Sequence, residues 1–189
     1  MKRIKRLQNI NTFIFILIFF IHQGLNAQSI EMDDIQISNT TFINQNGESI
    51  QFSKLIKGKV IAMNFIFTTC TTICPPMGAN FGQLIKLMAS HIDKDLVIIS
   101  VSIDPTTDTP ERLKRWSERF NQYGEGWTLL TGEKHKIDQL LKELNVFTPQ
   151  IENHAPILLI GREGKDNWIR ANGLSHPSEH AELINSFFD

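Results

Sequence analysis

Two stretches of the chain are apolar almost without interruption. Val60 to Phe67 (VIAMNFIF) and Leu96 to Ile103 (LVIISVSI) are rich in β-forming residues and too short for helices. They predict central strands buried on both faces. Between them Leu84, Ile85, Leu87 and Met88 recur at helical spacing, which predicts a helix opening at Pro75-Pro76 and running to about Ser90. Asp108-Thr109-Pro110-Glu111 signals another helix: a capping side chain, proline in the first turn and an acid near the positive end of the dipole. It should reach Phe120, with Gly124 and Gly126 ending the stretch. Trp127 to Leu130 reads as a short strand, and Ile137, Leu140, Leu141 and Leu144 as a helix. Pro156 to Ile160 and Trp168 to Ala171 form a hairpin about Glu163-Gly164, and Ser175 to Phe188 closes the chain as a helix with Pro177 near its start. Upstream, Ile35 to Phe42 and Ser49 to Phe52 flank Asn46-Gly47, a hairpin signal. Helices alternating with buried strands, then a hairpin and a helix, predict an α/β fold. The expected architecture is a mixed central sheet flanked by helices on both faces, with an N-terminal β-hairpin.

The front end has a different pattern. Lys2, Arg3, Lys5 and Arg6 precede an unbroken apolar run of nine, Phe13 to Ile21. A spanning helix needs about 20 apolar residues, so the run fits the core of a secretory signal, with Leu25-Asn26-Ala27 as the cleavage site. The expected organisation is a signal peptide over residues 1–27 (or, as the alternative, a short membrane anchor) and one domain over 28–189. No cysteine adjoins the cut, which argues against a lipid anchor. Either way the domain lies in the periplasm or otherwise outside the cytoplasm, where disulfides persist. Any membrane association would come through the N-terminal segment.

Charge and composition then remove some classes. Hydrophobic residues make up 41% of the 189 and charged residues 21%, as in a globular domain. Four of the 19 Lys and Arg lie in the first six residues, so beyond residue 27 15 basic residues face 20 acidic ones, a net of −5. Such a domain has no general basic field for nucleic acid. Two cysteines exclude a scaffold stapled by several bridges.

Those cysteines sit in Phe67-Thr68-Thr69-Cys70-Thr71-Thr72-Ile73-Cys74-Pro75-Pro76-Met77, between a core strand and a helix. The carboxyl end of a strand is where open α/β sheets place ligands. A strand, a cysteine-bearing turn and a helix is the thioredoxin-like arrangement, although Cys-x-x-x-Cys is one residue longer than that redox motif. With Cys74 opening the helix, the two sulfurs can close a small disulfide or face one metal ion. A helix amino terminus lowers thiol pKa, which helps both nucleophiles and ligands. An inert structural disulfide is the plainer alternative, but so short a loop contributes little chain-entropy stabilisation.

Taken together, three segments carry a resemblance. Cys70-x-x-x-Cys74-Pro75 follows an apolar strand; Ser102-Ile103-Asp104-Pro105-Thr106-Thr107-Asp108-Thr109-Pro110 comes next; Asn153-His154 precedes an apolar strand and a glycine turn. In that order, across Asp33 to Phe188, they resemble the Sco/SenC family of copper-binding, thioredoxin-like proteins. The resemblance implies one copper held by Cys70, Cys74 and His154. It also implies a role in assembling the dicopper centre of cytochrome c oxidase, by delivering copper or by reducing the target's cysteines. The implied partner is an oxidase subunit or another copper or thiol target protein. Two departures stand out. Thr71-Thr72-Ile73 lies between the cysteines, where the family more often has Pro-Asp or similar residues, and Ala155-Pro156 follows His154 instead of the usual Ser. A proline just before a late strand is similar to the cis-proline of thioredoxin and peroxiredoxin folds. It keeps a second reading in play, a thiol-disulfide oxidoreductase using Cys70 and Cys74 without copper. A peroxidase is disfavoured, because no Pro-x-x-x-Thr/Ser-x-x-Cys pattern precedes Cys70.

Elementary chemistry supports the same set. Two thiolates and an imidazole form a soft donor group suited to copper in its lower oxidation state and tolerant of the higher one. Zinc usually wants a fourth ligand, and three ligands leave an edge open for transfer. Among the other polar residues, Asp104 is the candidate for supporting the site from behind, and Asp108 reads as a helix cap. His176 and His180 have metal-ligand spacing but no third partner, so capping or exposure is expected. His91 and His135 read as solvated. Met63 and Met88 read as core filling, while Met77 stays open as a neighbour of the cysteines. Trp116, Trp127 and Trp168 are expected in the core or at its rim.

Overall fold

The protein's structure, a computed structural model, describes residues 30–188 apart from 33, 34, 36, 122–124 and 166. The segment read as a signal peptide, and Gly124, lie outside the described residues. In chain order the elements are β1 (Ile30–Met32), β2 (Thr41–Asn44), β3 (Ser49–Gln51), α1 (Phe52–Ile56), β4 (Val60–Ile66), α2 (Cys74–Leu87), β5 (Leu96–Ser102), α3 (Pro110–Glu118), β6 (Thr128–Thr131), α4 (Lys134–Glu143), β7 (Ile157–Arg162), β8 (Trp168–Asn172) and α5 (Pro177–Asn185). A single 3₁₀ turn, Ile151–Asn153, precedes β7. Among the described residues no helix is long and apolar enough to cross a membrane.

The strands form one sheet in the order β1-β8-β7-β4-β5-β6-β2-β3. β4 runs parallel to β5, and β5 to β6, whereas β7 is antiparallel to β4 and β8 to β7. The sheet is therefore mixed, as the alternation of elements predicts. β4 and β5 are buried along all seven of their residues. Their near-continuous apolar sequence follows from this: both faces are covered, so neither needs polar positions.

Right-handed crossovers β4-α2-β5 and β5-α3-β6 step in the same direction across the sheet, which puts α2 and α3 side by side on one face. Gly78 and Gly82 of α2 make this contact close. A Cβ on Gly78 would meet the Trp116 ring at 2.9 Å, and one on Gly82 would overlap the Phe120 carbonyl. The helix α5 packs against α2. The helix α4 buries Ile137, Leu140 and Leu141.

Differences from expectation are local. The first strand of the N-terminal hairpin starts at Thr41 and not at Ile35. Asn44 Oδ1 accepts the N–H groups of Asn46 and Glu48, both at 2.9 Å, and Gly47 takes φ +78°, so the turn is set by side-chain bonds as well as by glycine. Directly after β3, Phe52 and Ile56 anchor the short α1, too brief to show helical periodicity in sequence. β1 extends the other edge by pairing with β8.

Candidate metal centre

β4 ends at Ile66, and the chain turns back into α2 through the cysteine loop. Cys70 N–H donates to the Phe67 carbonyl at 3.2 Å, closing the first turn. Cys74 is the first helical residue, followed by Pro75 and Pro76. Proline is tolerated there because first-turn amides have no partner within the helix. One of those free amides, Cys74 N–H, points at Cys70 Sγ, 3.5 Å away. The Thr72 hydroxyl lies 3.6 Å from the same sulfur.

The third member arrives from the far end of the sequence. β7 pairs antiparallel with β4, Leu158 opposite Asn64, so the residues just before β7 lie beside the end of β4 where the cysteine loop begins. His154 sits there, capping the 3₁₀ turn. Its Nε2 is 3.5 Å from Cys74 Sγ, and the Phe67 ring packs edge-on against the imidazole at 5.3 Å. Ligand atoms of Cys70, Cys74 and His154 all lie within 4.8 Å of one another. The three residues are 9%, 0% and 8% exposed, so Cys74 lies deepest and what opening the cluster has is shared by Cys70 and His154. Both thiols are free.

The environment separates the two thiols. Burial on its own would raise Cys70, but the Cys74 N–H and the Thr72 hydroxyl and backbone favour the thiolate and bring it down to about 7. Burial pushes Cys74 up to about 12, reinforced by the neighbouring Cys70 and Asp108 and only partly opposed by the Phe67 backbone. Burial holds the His154 imidazole below its ordinary value, so it is neutral at pH 7. Its Nδ1 has no partner among the described residues. The cluster thus offers one thiolate poised at neutral pH, one thiol that keeps its proton until a cation replaces it, and one neutral imidazole.

The support behind the loop differs from expectation. Asp108, read as a cap, is 1% exposed and accepts from Thr68 N–H at 3.1 Å, from the Thr68 hydroxyl and from Ser102 Oγ at 2.7 Å. It ties the cysteine loop to the end of β5. The cap of α3 is Thr109, whose side chain accepts from Arg112 N–H. Asp104, the residue expected to support the site, instead accepts from the Thr106 hydroxyl at 2.8 Å. The one local clue was Ser102, a polar residue closing an apolar strand. It faces the buried carboxylate whose charge it helps satisfy. Burial raises the pKa of Asp108 against these hydrogen bonds.

The remaining candidates fall away from the cluster. His176 is the N-cap of α5, accepting from Ser178 N–H, as expected. His180 is fully buried, not exposed, with Nε2 3.0 Å from the Asn172 carbonyl. His91 is half-buried instead of solvated: it stacks on Phe188 at 4.3 Å and contacts Asp95. His135 is exposed. Met63, Met77 and Met88 are buried, and the Met77 methyl faces Gly173. All three tryptophans are buried. No cis peptide bond occurs among the described residues, so Pro156 is not a cis-proline.

A thioredoxin-like α/β domain carrying a Cys-Cys-His cluster at the carboxyl end of its central strand is the class that fold and site define. The SCO1/SenC family model matches residues 31–165, and the chain belongs to that family. It is 35% identical to the SCO1 protein homolog of Bacillus subtilis over 139 residues, 69% of this chain and 70% of that protein. BsSco, a member of the Sco family of cytochrome c oxidase assembly proteins in which a disulfide switch has been identified, is similar at a TM-score of 0.68 and 27% identity, over 85% of this chain and 96% of its own. Arabidopsis thaliana ScoI, solved with copper bound, shares the fold at a TM-score of 0.65 and 18% identity, over 79% of this chain and 96% of its own.

Proposed function

We propose that this chain is an extracytoplasmic copper-binding protein of cytochrome c oxidase assembly, with residues 1–27 as its signal peptide or membrane anchor and 28–189 as the working domain. The observation that carries the reading is the buried convergence of Cys70 Sγ, Cys74 Sγ and His154 Nε2 within 4.8 Å of one another. This donor set is soft, preassembled and one ligand short of a closed zinc site. Copper is cargo here: it displaces the Cys74 proton, is held by both sulfurs and the imidazole, and leaves along the Cys70 edge. The test is anaerobic copper titration of the reduced protein, expected to give one ion per chain. Cys70→Ser with Cys74→Ser should abolish tight binding. His154→Ala should weaken copper(II) and change the thiolate-to-copper absorption, while His176→Ala leaves both intact. Unchanged copper(II) affinity in His154→Ala would remove it from the ligand set.

A second reading has its own support. Cys70, at about 7 and partly accessible, beside a sequestered Cys74 at about 12, has the asymmetry of an attacking and a resolving thiol. Reduction of a target's disulfide would form a mixed disulfide at Cys70, which Cys74 then displaces, leaving a Cys70–Cys74 bond. Turnover of a disulfide substrate with all copper chelated would favour this chemistry over delivery.

A further inference from the structure

One face of α3 carries a feature that copper binding does not use. At 100° per residue, Arg112, Arg115, Trp116 and Arg119 fall on one side of the helix, and Glu111, Lys114 and Glu118 on the other. With Thr68 the first four residues line an open cavity of about 270 Å³. Thr68 stands two residues before Cys70, and Arg112 Nε lies 3.4 Å from its hydroxyl, so the basic face borders the cysteine loop. Arg119 is braced over the Trp116 and Phe120 rings at 5.8 and 5.4 Å, with its Nε donating to the Trp116 carbonyl. Among the described residues none of the three guanidiniums has a carboxylate within 4.0 Å, and the only acid felt nearby is Glu111, held low by its own backbone N–H, by the Thr109 hydroxyl and in part by the Arg115 charge. Three arginines on one face of a domain of net −5, adjoining the reactive loop, are a concentrated exception to its charge.

Resting on the reading that this chain passes copper or electrons to another protein, we propose that the Arg112–Arg115–Arg119 face is the docking surface for an acidic segment of that partner. From residue 112 to 119 the helix rises about 10 Å. That length exceeds a single oxyanion and matches about three residues of an extended peptide. Arginine suits the task, because its fork binds a carboxylate through two parallel hydrogen bonds. Docking there would bring the partner's own thiols or metal ligands to the Cys70 edge of the cluster. Charges at such a rim chiefly set association rate and salt dependence.

The probe is a fluorescein-labelled oligo-aspartate peptide, read by fluorescence anisotropy at low and at physiological ionic strength, against the reduced protein. Arg115→Gln with Arg119→Gln is the test variant; Arg112 is left in place because it also touches Thr68. We expect binding that weakens with salt, about fivefold weaker in this variant at low salt, and only partly restored in Arg115→Lys with Arg119→Lys, which return the charge without the fork. Lys54→Gln with Lys57→Gln, which removes the same charge elsewhere, should bind like the native chain. Equal binding by native chain and test variant, equal loss in the lysine control, or full displacement by inorganic phosphate at a concentration equal to that of the peptide would each overturn the proposal. Copper stoichiometry is measured on every variant. One ion per chain in the arginine variant excludes misfolding. Absence of copper binding by the native chain, with peptide binding intact, would count against the copper reading and leave this surface standing.

Discussion

The two thiols should react very differently with a disulfide, and the structure sets the ratio. Cys70 falls from an ordinary 9.0 to about 7, so about half is thiolate at pH 7, against about 1% for an ordinary thiol. That is a gain of about fiftyfold in the reactive species. Each thiolate is intrinsically less nucleophilic, by about eightfold for a two-unit drop at a Brønsted slope near 0.45. The net expectation is that Cys70 attacks about sixfold faster than an exposed, unperturbed cysteine at pH 7, and by a larger factor near pH 6. Cys74, at about 12 and fully buried, presents roughly one thiolate in 100,000 at pH 7. The assay is stopped-flow reaction with a small aromatic disulfide, on reduced, metal-free Cys74→Ser and Cys70→Ser single variants across pH. Cys74→Ser retains the backbone N–H at position 74, so its rate should level off with a midpoint near 7. Cys70→Ser should show no plateau below pH 10. Thr72→Ala, which deletes the second donor to Cys70, should move the midpoint upward. A midpoint near 9 in Cys74→Ser would refute the claim that the helix-end amide activates Cys70; a neutral-pH plateau in Cys70→Ser would refute the sequestration of Cys74.

Further outcomes follow from the same geometry. Copper binding at pH 7 should release about 1.5 protons, one from Cys74, about half from Cys70 and none from neutral His154, falling toward one as pH rises past Cys70's value; calorimetric titration in buffers of different ionisation enthalpy measures it. Replacing Gly82 by Ala would gain about 1 kcal/mol of helix propensity elsewhere. Here it drives a methyl into the Phe120 carbonyl, so a net loss of about 2–3 kcal/mol is expected in urea denaturation. Asp108→Ala leaves Thr68 N–H and Ser102 Oγ without their acceptor and should cost about 2–4 kcal/mol. It should also slow copper uptake, whereas Asp104→Ala changes neither. Air oxidation should close a Cys70–Cys74 bond, seen as a two-dalton mass loss, with little change in circular dichroism, because the loop it closes is so short.

Much of the fold could be read locally because its cause is local. Val60 to Ile66 and Leu96 to Ser102 are nearly continuous apolar runs, interrupted only by Asn64, Ser100 and Ser102, since both faces of the pleat are covered. Pro75, Pro110 and Pro177 mark first turns because only there is a missing amide harmless. The cysteine pair was legible from its place between strand and helix, which needs only neighbours in sequence. His154 was legible only through the family resemblance of its segment, since its immediate neighbours are ordinary loop residues; what brings it 3.5 Å from Cys74, 80 positions away in the chain, is the antiparallel pairing of β7 with β4. Tertiary structure alone decided which aspartate is buried against the cysteine loop. Asp104 and Asp108 occupy the same turn-rich segment, and sequence cannot tell which carboxylate turns inward. Burial settles it, because a buried charge must find donors, and Thr68 and Ser102 are the donors that β4 and β5 deliver to Asp108. The unequal thiols have the same origin. Two identical side chains four residues apart are shifted in opposite directions because one sulfur accepts from a helix-end amide and the other lies deeper in the core.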